Sequence, residues 1–151
     1  MEIRDAIRKP PVSISCDASL SDAAQMMDTA SVGCLVVTDE GRPVGMITDR
    51  DITVRAVARR MGSDARVDSV MSSDIITADA SADLRSVMNV FRSHPIRRVP
   101  VMDNGNLVGV ITLDDLMMDL SADLSDLTRA VTGQAIFGHP EPQMAMPMMR
   151  S

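Results

Sequence analysis

Apolar residues along this chain switch between two periods, and the switches mark its elements. Ile3, Ala6 and Ile7 give a short amphipathic turn that stops at Pro10-Pro11, and Val12 to Ser15 is a brief extended segment. Leu20, Ala23, Ala24 and Met27 then recur at helical spacing. Ser19 precedes them with Asp22 three residues on, a capping box with Asp in the usual place of Glu or Gln, so the pattern predicts a helix from about Ser19 to Ala30. Cys34 to Thr38 and Val44 to Thr48 are β-branched runs. Asp39-Glu40-Gly41-Arg42 between them supplies a tight reversal, and the three together predict a hairpin. Val54, Val57, Ala58 and Met61 return to helical spacing until Gly62-Ser63.

The same order then recurs. Ile75 to Ala78 is extended, and Leu84, Val87, Met88 and Phe91 line a helix. Val99 to Met102 and Leu107 to Thr112 flank the turn Asp103-Asn104-Gly105. Leu113, Leu116, Met117, Leu120, Leu124, Leu127 and Val131 continue one apolar stripe. The closing helix is therefore either longer than its counterpart or broken near Ser121, and its length points to a packing face against a partner subunit. Val44 to Asp51 and Val108 to Asp115 lie 64 positions apart, and the offset holds without a gap for Leu20 with Leu84, Asp39 with Asp103, and Ile3 and Ile7 with Val67 and Met71. Two small similar modules facing each other explain a period of this length better than a solenoid. The expected organisation is a first repeat over 1–62, a second over 63–132 and a flexible Met- and Pro-rich tail over 133–151.

Composition sharpens this picture. A unit of about 60 residues is too small for a generous core, so each half is expected to complete its core against the other. Only Phe91 and Phe137 are aromatic, so Val, Ile, Leu, Ala and part of the 14 Met must fill the interior. A formal charge of −6 argues against a nucleic-acid binder. Cys16 and Cys34 form no spacing motif, which fits a reducing compartment. No apolar run approaches the roughly 18 residues of a membrane span, and Met1 to Lys9 alternates charge with apolar residues, unlike a signal peptide. The expectation is a cytoplasmic protein with no membrane partner.

Few residues offer chemistry. Thr48 with Asp51, and Thr112 with Asp115, read first as helix caps, since a threonine and an acid three residues later satisfy free backbone donors. A carboxylate at such a strand-to-helix junction can also accept hydrogen bonds from both hydroxyls of a ribose. Both roles can share the residues. In His94-Pro95-Ile96-Arg97-Arg98 the two arginines suit phosphate oxygens, although a solvated charged rim explains them too, and His94 has the place of a helix-end cap. Gly33 and Cys34 match Arg97 and Arg98 in the first copy, so two clefts should not bind one ligand equally. His94 and His139 fall into no nucleophile-base or zinc spacing, no glycine-rich phosphate loop occurs, and each cysteine reads as a small buried hydrophobe. His139 with Met144 to Met149 in the tail is a remote option for a soft metal; no metal site is expected.

Gly45 to Asp51, Gly109 to Asp115 and Arg97-Arg98-Val99-Pro100-Val101 together resemble a tandem pair of cystathionine-beta-synthase (CBS) domains, the Bateman module, and in particular its small stand-alone bacterial members. The likeness runs from about Ile3 to Leu120. It implies an α/β (α+β) fold of two beta-alpha-beta-beta-alpha repeats packed about a pseudo-twofold axis, with pairs joining through their apolar helices as a homodimer. It further implies no obligatory cofactor but a regulatory adenosine ligand: AMP, ADP, ATP, NAD or S-adenosylmethionine. By this resemblance Asp51 and Asp115 hold ribose hydroxyls, Thr48 and Thr112 approach ribose or phosphate, Arg97 and Arg98 meet phosphate, and Ser13, Thr77 and Ala78 border the base.

Three function classes compete on these residues. A nucleotide-sensing regulator requires Asp115 and Arg97 for binding. A ligand-free, stress-related interaction module, acting as a homodimer with an unidentified protein partner, requires only the apolar helices. An enzyme requires a catalytic arrangement that these residues do not form, so no enzymatic activity is expected.

Overall fold

The computed structural model describes residues 1–8 and 10–136. Residues 1–113 fall in one compact unit, and the described residues from 114 onward fall in another. In the first unit a 3-10 turn at Ile3–Ala6 leads to β1 (Ser13–Ser15), α1 (Leu20–Ala30), β2 (Cys34–Asp39) and β3 (Arg42–Thr48). A helical segment follows: α2 (Asp49–Asp51), a π-helical stretch at Ile52–Ala56 and a 3-10 turn at Val57–Arg59. The second copy runs through a 3-10 turn at Val67–Ser69, β4 (Ala78–Asp79), α3 (Leu84–Ser93), β5 (Arg98–Asp103) and β6 (Asn106–Thr112). A 24-residue helix, α4 (Leu113–Ile136), then forms the described part of the second unit.

Each repeat builds a three-stranded sheet, β1-β2-β3 and β4-β5-β6. The first pair of strands is parallel and the second antiparallel in both, and a bulge falls at Val37/Thr38 and again at Val101/Met102. This is the expected mixed α+β architecture. Local chemistry explains much of it. Ser19 accepts a hydrogen bond from the Asp22 backbone amide at 3.0 Å while Asp22 accepts one from the Ser19 amide, which starts α1 where the capping box predicts. Both hairpins close through two residues at positive φ, Glu40-Gly41 and Asn104-Gly105, as a primed turn requires.

The cores are exchanged at their edges. Ile3, from the first copy's leading turn, is fully buried among Ala80, Val87, Val99, Val101 and Ile111 of the second. Reciprocally, Val67 and Val70 pack with Leu20, Leu35, Val37 and Ile47 of the first. Backbone hydrogen bonds repeat the exchange at the 64-residue offset: Ile3 N–H to Ala82 carbonyl at 2.9 Å and Val67 N–H to Ala18 carbonyl at 2.8 Å. Each half thus completes its core with the other's leading turn.

Three expectations change. The segment after β3 is not one regular helix: its hydrogen bonding widens to π and tightens to 3-10 before Arg60 turns left-handed, and of the residues at helical spacing Val54 and Val57 face solvent while Met61 packs on the first core. Ile75 to Ile76 are not strand; β4 is confined to the two residues that pair with Val101 and Met102. Finally, α4 passes Ser121 unbroken and continues through Gly133 to Ile136, so the tail expected from 133 begins inside a helix. His139 and Met144 to Met149 lie outside the described residues.

Candidate functional site

At the carboxyl end of β3 the strand passes directly into helix, and Thr48 and Asp51 secure the passage reciprocally. The Asp51 amide donates to Thr48 Oγ1 at 3.1 Å, and the Thr48 amide donates to Asp51 Oδ2 at 2.9 Å. The capping role is therefore real. It occupies one side of the carboxylate, and Asp51 Oδ1 lies 3.7 Å from Arg55 Nε. The π-helical turn that follows is an irregularity of a kind often found beside functional sites.

Thr48 and Asp51 border a cavity of ≈ 170 Å³ within the first unit. Cys34 and Met46 from the same hairpin continue its wall, Ser72, Asp74, Ile75 and Ile76 cross it from the segment between the second copy's leading turn and β4, and Ile96, Arg97 and Arg98 close it at the entry to β5. The cavity therefore has an apolar wall of Ile75, Ile76, Ile96 and Met46, a carboxylate and hydroxyl at one junction, and a guanidinium pair. It draws on both repeats.

That arrangement changes the expected partition of residues. Arg97 and Arg98 belong by sequence to the second copy, yet they line the same cavity as Asp51 and Thr48 of the first. The cleft at the first copy's acid is not devoid of a basic pair. The segment after the second copy's leading turn is responsible: the Met46 and Ser72 backbones pair in both directions at 2.9 Å, which brings that segment alongside β3. Gly33, the counterpart of Arg97, has its own cause. A Cβ there would stand 3.0 Å from Asp49 Oδ2, so a side chain at 33 would crowd the start of the following helix.

Other anticipated residues lie elsewhere. Ser13 is exposed on β1; Thr77 is exposed just before β4, and Ala78 packs against the second core. None of the three lines this cavity, whose corresponding wall is made a few residues earlier, at Ser72 to Ile76. His94 ends α3, with its Nδ1 3.3 Å from the Val90 carbonyl, the helix-end role, and it does not line the cavity. Thr112 ends β6 in the first unit, and Asp115 stands in the first turn of α4 in the second.

Asp74, Ser72 and Arg55 were not singled out by sequence, and Cys34 was read there as a small buried hydrophobe rather than as part of a site. Arg55 carried a weak signal, an opposite charge four residues after Asp51 on a helix; Asp74 and Ser72 sit in an aperiodic connection and carried none. Burial pushes the Cys34 thiol up to about 11; Arg98 opposes the rise and Asp51 and Asp49 add to it. Such a thiol is a neutral wall rather than a nucleophile. Among the described residues no cluster of three or more His, Cys, Asp or Glu is arranged to hold a metal, and no helix is long and apolar enough to cross a membrane.

A family model described as CBS domain matches residues 3–58 and again 67–122. The CBS domain-containing protein YhcV of Bacillus subtilis is 31% identical over 117 residues, which span 78% of this chain and 84% of that protein. Among solved structures, Hypoxic Response Protein I with two coordinated zinc ions is 31% identical with a TM-score of 0.68, covering 78% of this chain and 98% of its own. The CBS domain protein PAE2072 from Pyrobaculum aerophilum, complexed with AMP, is 30% identical with a TM-score of 0.69, covering 81% and 99%.

Proposed function

Because the chain belongs to the CBS-domain family, with both repeats matched, we propose that it is a regulatory protein binding an adenosine-containing nucleotide in the cavity beside Asp51. One observation carries this reading: a carboxylate, an isoleucine-lined wall and a guanidinium pair surround one cavity built from both repeats. Each matches one part of such a ligand. A ribose cis-diol donates two hydrogen bonds, which a carboxylate accepts; an adenine ring buries its faces against Ile75, Ile76 and Ile96; and phosphate oxygens accept from the planar donors of Arg97 and Arg98. The AMP held by a relative of similar fold supports the same ligand class. Because the walls come from both repeats, a ligand bridges them, and occupancy changes how firmly they are held together. Regulation of this kind uses no catalytic group and no obligatory cofactor. Two copies associate through the exposed apolar positions of the closing helices.

Calorimetric titration of nucleotide-stripped protein with AMP, ADP, ATP, NAD and S-adenosylmethionine tests the reading. Saturable binding near one site per chain is expected, with Asp51→Ala weakening it about tenfold or more, equivalent to about 1.4 kcal/mol. A second equivalent of ligand lost in Asp115→Ala would assign that residue a site of its own. Silence across the panel at millimolar ligand, with the protein folded, rejects nucleotide sensing in favour of a ligand-free interaction module.

A further inference from the structure

Arg55 lies outside the cavity's lining yet touches two parts of its frame. Its Nε stands 3.7 Å from Asp51 Oδ1, one helical turn back. Its Nη1 donates to the carbonyl oxygens of Val70 at 3.1 Å and Met71 at 3.3 Å and to Ser72 Oγ at 3.4 Å. A single planar guanidinium therefore joins the carboxylate of the first repeat to the connection that follows the second copy's leading turn. Val70 is anchored in the first core and Ser72 is paired to Met46, so the connection is a firm support.

The consequence for Asp51 follows from its geometry. The terminal torsion of an aspartate is broad, so one hydrogen bond leaves the carboxylate plane free to swing. Thr48 holds Oδ2 through its backbone amide, and Arg55 faces Oδ1. Hydrogen-bonded on one oxygen and faced by a cation on the other, the carboxylate is biased toward presenting its remaining lone pairs in one direction, which a rigid cis-diol requires and a lone hydroxyl does not. Position 119, 64 residues on, is Asp, so the second copy has no counterpart of Arg55.

We propose that Arg55 is a positioning residue that locks Asp51 and the Val70–Ser72 connection into one frame and thereby makes the cavity selective for ribose over 2′-deoxyribose. This rests on the nucleotide reading above and adds to it the residue that orients the carboxylate. A site built to hydrogen-bond a hydroxyl rejects an analogue lacking it, because its acceptor is left unpaired. Lysine at 55 carries the charge without the fork and can serve only one of the two supports.

AMP and 2′-deoxy-AMP, titrated calorimetrically against wild type, Arg55→Met, Arg55→Lys, Asp51→Asn and the Arg55→Met/Asp51→Asn double variant, test this, with thermal melts to establish folding. Wild type is expected to prefer AMP at least tenfold. Arg55→Met should bring the ratio to within about threefold by weakening AMP while leaving 2′-deoxy-AMP nearly unchanged, Arg55→Lys should fall between, and the double variant should lose little beyond Asp51→Asn. A ratio preserved in Arg55→Met, equal weakening of both ligands, or simple addition of the two single effects overturns the role of Arg55 and leaves nucleotide binding standing. Should Arg55→Met fail to fold, the Arg55→Lys ratio decides in the same way. No wild-type binding of AMP at millimolar concentration overturns the nucleotide reading and this role together.

Discussion

Glu40 and Asn104 hold the same left-handed place in the two hairpins, at φ 50° and 49°, each followed by a glycine near 80°. Asparagine tolerates that region and glutamate does not, so the first turn carries strain that the second avoids. Glu40→Asn is therefore expected to stabilise the protein by about 0.5–1 kcal/mol, read as a higher urea midpoint at unchanged slope; an unchanged or lowered midpoint would refute the strain. Cys34 gives the second prediction at this scale. Its folded pKa, about 11, lies above the ordinary 9.0, so the neutral thiol is favoured by folding. Its contribution is complete below pH 9 and is lost as pH rises through 11. Cys34→Ala should flatten the fall in urea midpoint across that window, and an identical fall in both proteins would show that burial of Cys34 has no such effect. These residues also show what sequence discloses. The turn chemistry and the Thr48–Asp51 cap were legible because they act within four residues, while the company that Cys34 keeps depends on Arg98, far along the chain.

Gly45 and Gly109 occupy matching places in β3 and β6, and each lies against the leading turn of a repeat. A Cβ on Gly45 would meet Met71 Sδ at 2.6 Å and the Ser72 carbonyl oxygen at 2.7 Å; on Gly109 it would meet the Ile7 side chain at 2.6 Å. A side chain can rotate away, whereas the Ser72 backbone is paired to Met46. Gly45→Ala should therefore cost roughly 1–3 kcal/mol and more than Gly109→Ala, by chemical denaturation; the reverse order would refute the argument. The strand and hairpin pattern that sets these contacts was readable from period two and turn residues. The irregular helix after β3 was not, because Val54 and Val57 have helical spacing while facing solvent, and spacing does not tell a core from an outer face.

At the scale of the whole molecule the 64-residue offset disclosed two copies, but that Asp51 shares a cavity with Arg97 and Arg98 depends on the path of residues 72–76 alongside β3. The exchanged turns make the repeats interdependent. Ile3→Ala, a cavity in the second core made from the first copy's end, should cost about 2–5 kcal/mol and lower a single cooperative transition seen alike by probes in either repeat; separate melting of the two would contradict the exchange. The closing helix α4, considered by itself, carries an exposed apolar seam. Met117, Leu120, Leu124, Leu127 and Val131 alternate steps of three and four, the seam of a two-stranded coiled coil, and all five are exposed, Leu124 at 65% and Leu127 at 66%. The helix outlasts the matched family region, which ends at residue 122, so this seam extends past the repeat itself. An exposed seam of this kind is self-complementary about a twofold axis, and Ser121, Thr128 and Ala130 beside it are small enough for close approach. Sedimentation should accordingly find a dimer at micromolar concentration. Leu124→Asp with Leu127→Asp should give a monomer whose repeats still melt cooperatively, since neither side chain belongs to their cores. A wild-type chain that sediments as a monomer, or a double variant that remains a dimer, removes α4 as the joining surface.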